Sequence, residues 1–345
     1  MSDPIPFVSV VIPVLNEVDN VAPCIEALRA QDYPAERLEI RVADNGSTDG
    51  TQEALERLEV DYVHCPTRGR AHALNAALER ARGEIVCTTD MSCRAAPDWI
   101  SRVVADFADP RIGCVAGDIR MLDTNDDNAA LRFQRRNHYM SPMWALTRRR
   151  PPFLPFADGA NASFRREVFA RIGPFEARFP KAADVEICYR MFVLSDYDLL
   201  FDWEAVLWEP AEPDLLSLLR QRMRMGLGWN LMVHKYPRLY AHSSPATPAG
   251  SLKNWYWGLR QQLAQINRLW GRSPEAEDAR IRLLMGWVQA FSRYRTRKAV
   301  ARMATPPEPV DDAAIQAFLK ATPDIFSRVR VRGTPAFALP LSDQR

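Results

Sequence analysis

Three clusters of carboxylates, amides and hydroxyls in the first hundred residues could form a polar site. Asn16 and Glu17 make the first, residues 44–49 (Asp-Asn-Gly-Ser-Thr-Asp) the second, and Thr89, Asp90 and Ser92 the third. Such groups accept hydrogen bonds from polar ligands, and carboxylates also hold divalent cations. Turns favour the same residue types, which accounts for any one cluster but poorly for all three together. A later carboxylate, Asp184, stands at the start of an amphipathic segment, where it can serve as a helix N-cap.

Each cluster follows a segment with strand character. Residues 8–14 form a β-branched run, 39–43 a second strand, 62–65 a third, 84–88 a fourth and 112–116 a fifth. Helical patterns separate them, at 21–30, 49–58, 70–81 and 98–107, with Ser47, Thr48 or Asp49 as cap of the second. Strands alternating with helices imply βαβ units, hence an α/β fold with a mostly parallel central sheet flanked by helices. In such sheets ligands bind beyond the carboxyl ends of the strands, where all three clusters fall. No GxGxxG follows the first strand and no GxxxxGK[ST] occurs, so a dinucleotide or P-loop cradle is excluded.

The pattern changes after about residue 123. Residues 125–150 read as helix-rich and end in Arg148, Arg149 and Arg150; 164–172 and 184–193 read as helices, 199–202 and 205–208 as short strands. From Pro213 to about residue 304 the chain reads as mostly helical, broken by a loop at 243–250, with one more helix at 312–320. We therefore expect three regions: 1–122, 123–230, and a helical C-terminal extension at 231–345.

The net charge of +2 over 345 residues gives no reason to expect nucleic-acid binding. Six scattered cysteines without CxxC spacing imply buried, reduced thiols and a cytoplasmic location. No signal peptide is evident, and no apolar run approaches the roughly 20 residues of a membrane span.

The chain resembles the family 2 inverting glycosyltransferases of the GT-A fold, over about residues 7–229. The paired segments VSVVIPVLNE and IRVADNGSTDGT carry the resemblance most strongly. It implies a nucleotide pocket lined by Pro13, Leu15 and Glu17, with Asp44 receiving the imide N–H of a uracil. RGRAHALNAAL resembles the next nucleotide-facing segment, implicating Arg68, Arg70 and Asn75. TTDMSCRAAPDWI stands where the family has Asp-x-Asp; Asp90 is kept for nucleotide or metal, but Ser92 replaces the second carboxylate. DGANASFRREVFARIGPFE resembles the acceptor-side segment, with Gly159, Asn161 and Phe175 in matching places. AADVEICYRM matches the Glu-Asp motif, making Asp184 the catalytic base, with Ala183 where the first acid stands. In AVLWEPAEP, Glu209 occupies the position of a metal-binding His; it is an oxygen ligand for Mg²⁺ or Mn²⁺, or a surface carboxylate. LLRQRMRMGLG supplies Gln221 and, to stabilise the departing diphosphate, Arg222 and Arg224.

The implied activity is transfer of a sugar from a nucleoside-diphosphate sugar, UDP-linked by the Asp44 argument, to a glycan or lipid-linked acceptor hydroxyl. The rival reading is a degenerate GT-A protein that binds nucleotide or glycan without transfer. Residues 251–302 are basic and aromatic, including Trp255, Tyr256, Trp257, Trp270, Trp287 and Tyr294. They fit either helices packed on the core or a peripheral contact with an anionic membrane, at its inner face.

Overall fold

The computed structural model describes residues 5–142, 153–241 and 271–334. Arg148–Arg150, the loop expected at 243–250 and the aromatic residues from Trp255 to Trp270 lie outside them. The chain runs β1 (Val8–Val14), α1 (Val18–Arg29), β2 (Leu38–Asp44), α2 (Thr51–Arg57), β3 (Tyr62–His64), α3 (Arg70–Arg80) and β4 (Ile85–Thr88). It continues with β5 (Arg94–Ala95), α4 (Trp99–Asp106), β6 (Ile112–Met121), α5 (Ala129–Arg136), β7 (Ala162–Arg165), α6 (Arg166–Ile172), α7 (Ala183–Leu194) and β8 (Asp198–Glu209). Last come α8 (Leu215–Lys235), α9 (Pro274–Ala301), α10 (Asp312–Ala321) and β9 (Val329–Arg332).

The strands form one mixed sheet in the order β3-β2-β1-β4-β7-β6-β8-β5, with β9 also on β8. β1 pairs parallel with β2 and β4, and β2 with β3, so their carboxyl ends share a rim. β7 enters antiparallel between β4 and β6, opposing Ala162 to Thr88. Its starting end therefore meets the finishing end of β4, and residues 158–161 reach the same rim. β6 and β8 are parallel to each other and finish there too, with Met121 opposite Glu209.

Several expectations need correction. Phe164 and Arg165, expected to open a helix, belong instead to β7 (Ala162–Arg165), because pairing on both sides outweighs local preference. The two short strands expected at 199–202 and 205–208 are one strand, β8, crossing a register shift opposite Gly117 and Asp118. The cap of α2 is Gly50 at φ 95°, while Asp49 accepts hydrogen bonds from the Thr51 N–H and hydroxyl. β5 and β9 are too short to leave a periodic signal. All six cysteines are unpaired and buried.

The chain divides into two compact units. The first comprises Met1–Leu122, Met140–Pro210 and Ala317–Arg345, and contains the whole sheet. Its core is the valine, isoleucine and leucine faces of β1, β2, β4 and β6 against α1, α2 and α4, with Trp99 fully buried. The second, Asp123–Tyr139 with Ala211–Gln316, is built from α5, α8 and α9 around Phe133, Leu218, Ile281 and Met285. Arg132 and Arg136 of α5 pair with Glu277 and Asp278 at the start of α9.

Asn161, 1% exposed, holds the register shift of the first unit in place. Its Nδ2 donates to the carbonyls of Asp118 and Ala205, both at 2.9 Å, and its Oδ1 accepts from Trp99 Nε1 at 2.9 Å. Gly117 admits this side chain; a Cβ there would stand 2.3 Å from Asn161 Nδ2. Asn161→Ala leaves three buried polar groups without partners. We expect a loss of about 3 kcal/mol, read as a lower urea midpoint; an unchanged midpoint would show that the shift holds without it.

Candidate functional site

Two helix starts and several strand ends converge on the rim. Arg70 is the first residue of α3, and its guanidinium reaches Asp90 just past β4, with Nη2 2.6 Å and Nε 3.1 Å from Oδ1. The two side chains are 27% and 32% exposed, so the pair contributes about 1 kcal/mol or less to stability. Its importance is positional. Across the rim, Asp184 in the first turn of α7 accepts from the Gly159 N–H at 2.9 Å through Oδ2 and from the Val185 N–H through Oδ1 at 2.9 Å. Gly159 lies between cation and carboxylate: a Cβ on it would be 2.7 Å from Arg70 Nη1 and 3.2 Å from Asp184 Oδ2. A larger residue there would push the Arg70 guanidinium and the Asp184 carboxylate apart.

Sequence reasoning missed a third carboxylate here. Asp158 caps the 159–161 turn, accepting from the Ala160 N–H at 3.0 Å. Burial first, then the charge of Asp184, pushes its carboxyl up to about 6, against the pull of Ala160 N–H and Arg70. Arg70 answers the whole group. Burial works against its charge, but Asp90, Asp184 and Asp158 together raise its affinity for the proton. Asp158 adjoins the GAN segment that sequence did single out; nothing in its spacing distinguished it from a turn residue.

The acidic first turn of α7 is favoured by the helix dipole. Ala182, the residue before α7, is held at φ 69°. A left-handed alanine costs roughly 1–2 kcal/mol, a strain located where the chain must turn Asp184 toward Gly159. Thr88 ties the two sides, its hydroxyl donating to the carbonyls of Gly159 and Ala162 at 2.8 and 2.9 Å. Asn75 exchanges two hydrogen bonds with the Phe175 backbone, so this pair joins α3 to the loop before α7.

On the β1–β2 side, Pro13 and Glu17 are half-buried and Leu15 is exposed. Glu17 Oε2 accepts from Asn20 Nδ2 at 2.7 Å. Asp44 is fully buried, and its oxygens accept from the N–H groups of Gly46 and Ser47 and from Gln52 Nε2 at 2.6 Å. Burial raises its carboxyl, but these donors prevail and lower it below the ordinary range. The Asp44 carboxylate thus shapes its own turn. Asn45 fastens the next loop, donating to the Cys65 and Thr67 carbonyls and accepting from the Gly69 N–H.

Arg94 is the second residue that sequence reasoning passed over. Its Nη1 donates to the carbonyls of Met91, Ser92 and Cys93, and its Nη2 to Asn20 Oδ1 at 2.8 Å. One side chain thereby holds the Asp90–Ser92 loop and, through Asn20, Glu17. Glu209 ends β8 one step beyond the Arg94–Trp208 pairing. Burial above all, then the charges of Glu209 and Asp90, drives the Cys93 thiol well up. Among the described residues no three His, Cys, Asp or Glu side chains gather as a metal site.

Arg222 and Arg224 belong to α8 in the second unit. Arg222 lies over the Tyr139 ring at 5.1 Å, with a buried Nε that has no partner among the described residues. Arg224 stands 3.8 Å from Glu212.

Residues 9–173 match the family model described as Glycosyl transferase family 2. The glycosyltransferase AglE of Haloferax volcanii is 29% identical over 234 residues, spanning 66% of this chain and 74% of its own. The probable glycosyltransferase YdaM of Bacillus subtilis is 26% identical over 248 residues, 67% of this chain and 57% of its own. Among solved structures, the mannosyltransferase PcManGT of Pyrobaculum calidifontis, in complex with GDP-Man and Mn²⁺, superposes with a TM-score of 0.54 at 24% identity, over 92% of this chain and 81% of that one. That likeness fixes the architecture as GT-A: a curled mixed sheet flanked by helices, with a helical C-terminal region. Residues 9–173, which hold β1 to β7 and the rim residues Arg70, Asp90 and Gly159, accordingly match a Glycosyl transferase family 2 domain.

Proposed function

We propose that the protein transfers a hexose from a nucleoside-diphosphate sugar to an acceptor hydroxyl, with inversion at the anomeric carbon. The observation that carries this reading is the arrangement of Asp184 and Arg70 on either side of Gly159. A carboxylate and a cation face one small space, as a single displacement requires.

Asp184 is the general base. Each of its oxygens accepts one backbone N–H and retains a lone pair for the proton of the attacking hydroxyl. Attack and departure take opposite faces of an oxocarbenium-like centre. The leaving diphosphate gains negative charge, which Arg70 meets as a fixed bidentate donor, relieved in part from Asp90. Pro13, Leu15 and Glu17 form the wall for base and ribose. A uracil imide reaches Asp44 when the Gln52 amide yields its place on Oδ2.

The donor set also suits a hard cation. Asp90, Glu209 and the Ser92 hydroxyl are all oxygen ligands and would hold Mg²⁺ or Mn²⁺. Bound there, it would supply Lewis-acid neutralisation of the diphosphate. PcManGT carries Mn²⁺ with its donor, in keeping with this assignment. The acceptor class we assign is a glycan or lipid-linked hydroxyl.

Asp184→Asn tests the base directly. Transfer should fall by at least 10²-fold while donor affinity stays within about threefold of wild type; an active Asn variant would remove Asp184 from the mechanism, and a protein inactive towards every nucleotide-sugar would favour the degenerate reading. Asp158 gives a pH test. Its native carboxyl is raised to about 6, so its contribution to stability is complete below about pH 4 and is lost as pH rises through 6. Asp158→Asn, which keeps the acceptor for the Ala160 N–H, should be more stable than wild type by about 1–3 kcal/mol at pH 8 and no more stable at pH 4. Denaturant midpoints that move together at both pH values would contradict the raised carboxyl.

A further inference from the structure

The second unit carries a feature that the transfer site leaves unused. α9 packs one face inward through Ile281, Met285, Ser292 and Val300. Its outward face is not polar. Leu284, Trp287, Phe291 and Tyr294 are 44%, 63%, 56% and 71% exposed. At 100° per residue they fall within an arc of about 80°, roughly opposite the packed face. An exposed apolar stripe with two interfacial aromatics is unusual on a water-facing helix.

The charges around the stripe point to its partner. No Asp or Glu occurs between Asp278 and Glu308, while Arg280, Arg282, Arg293, Arg295, Arg297, Lys298 and Arg302 do. Arg282 and Arg293 turn inward, onto Asn137 and over the Trp229 ring. Arg280 and Lys298 fall in the same arc as the stripe and Arg295 about 20° beyond its edge, Arg280 also donating to the Gly271 carbonyl. Two copies of this face would set cations against cations, which disfavours a symmetric dimer. An anionic bilayer answers both features: lipid phosphates pair with the cations, and Trp, Tyr, Phe and Leu enter the headgroup boundary. No described helix is long and apolar enough to cross a membrane, so α9 would lie in the interface plane.

We propose that the Leu284–Trp287–Phe291–Tyr294 face of α9 docks the protein on an anionic membrane surface. This deepens the acceptor assignment above, because a docked enzyme meets hydroxyls carried on lipids. The test is sedimentation of the full chain with phosphatidylcholine vesicles, with and without phosphatidylglycerol. Binding should need phosphatidylglycerol and should weaken as salt screens the charges. Trp287→Ser with Phe291→Ser, and separately Arg295→Glu with Lys298→Glu, should each weaken it about tenfold or more. Equal binding to neutral vesicles, no binding at all, or variants that bind like wild type would overturn the proposal. So would a concentration-dependent dimer abolished by the Trp287 and Phe291 changes, which would give the face to a second copy. Turnover of nucleotide-sugar in vesicle-free solution should be unchanged in both double variants. Its absence from wild type would count against the transferase reading alone.

Discussion

Three carboxylates on a half-buried rim repel one another, and the guanidinium of Arg70 is what makes their proximity tolerable. Unit charges about 4 Å apart interact by roughly 4 kcal/mol at the effective dielectric of a protein surface, several times the stability contribution of an exposed ion pair. The cost shows at Asp158, whose carboxyl is held up to about 6 by burial first and by the charge of Asp184 second, even with Arg70 beside it. The same charge that permits the carboxylates is the one a diphosphate would seek.

The fold is arranged to deliver this group. Parallel β1, β2 and β4 finish on one rim, and antiparallel β7 starts there, so the Gly159 turn meets the end of β4 through Thr88. α3 and α7 present Arg70 and Asp184 from their first turns, where backbone N–H groups are unsatisfied and carboxylates are welcome. Beneath the rim, Asn161 joins β6, β8 and α4 by three hydrogen bonds and lets β8 shift register. Arg94 fixes the Asp90 loop against α1. Rigid supports of this kind hold reacting groups in position before substrate arrives.

Much of this was legible in residue order. The β-branched run at β1 and the polar clusters after β1, β2 and β4 follow from period and turn chemistry, so the rim could be located before any coordinates. β7 could not, since four residues flanked by a helix carry no period and depend on partners remote in sequence. Asp44 and Asn161 show a second limit. Both stand in the expected segments, but their side chains are committed to the Gly46–Ser47 turn and to the Asp118 and Ala205 carbonyls. Residue type announces a hydrogen-bonding capacity without saying whether fold or ligand takes it. Arg94 and Asp158 are the converse, ordinary in sequence and consequential only when loops from distant strands meet.

The central claim is that Arg70 is the charge that receives the donor's diphosphate. Calorimetric titration of UDP and GDP into wild type and Arg70→Gln measures it most directly, with melting curves confirming that the variant is folded. The variant should bind its preferred nucleotide at least about tenfold more weakly, a difference of roughly 1.4 kcal/mol. A folded variant with wild-type affinity would contradict it.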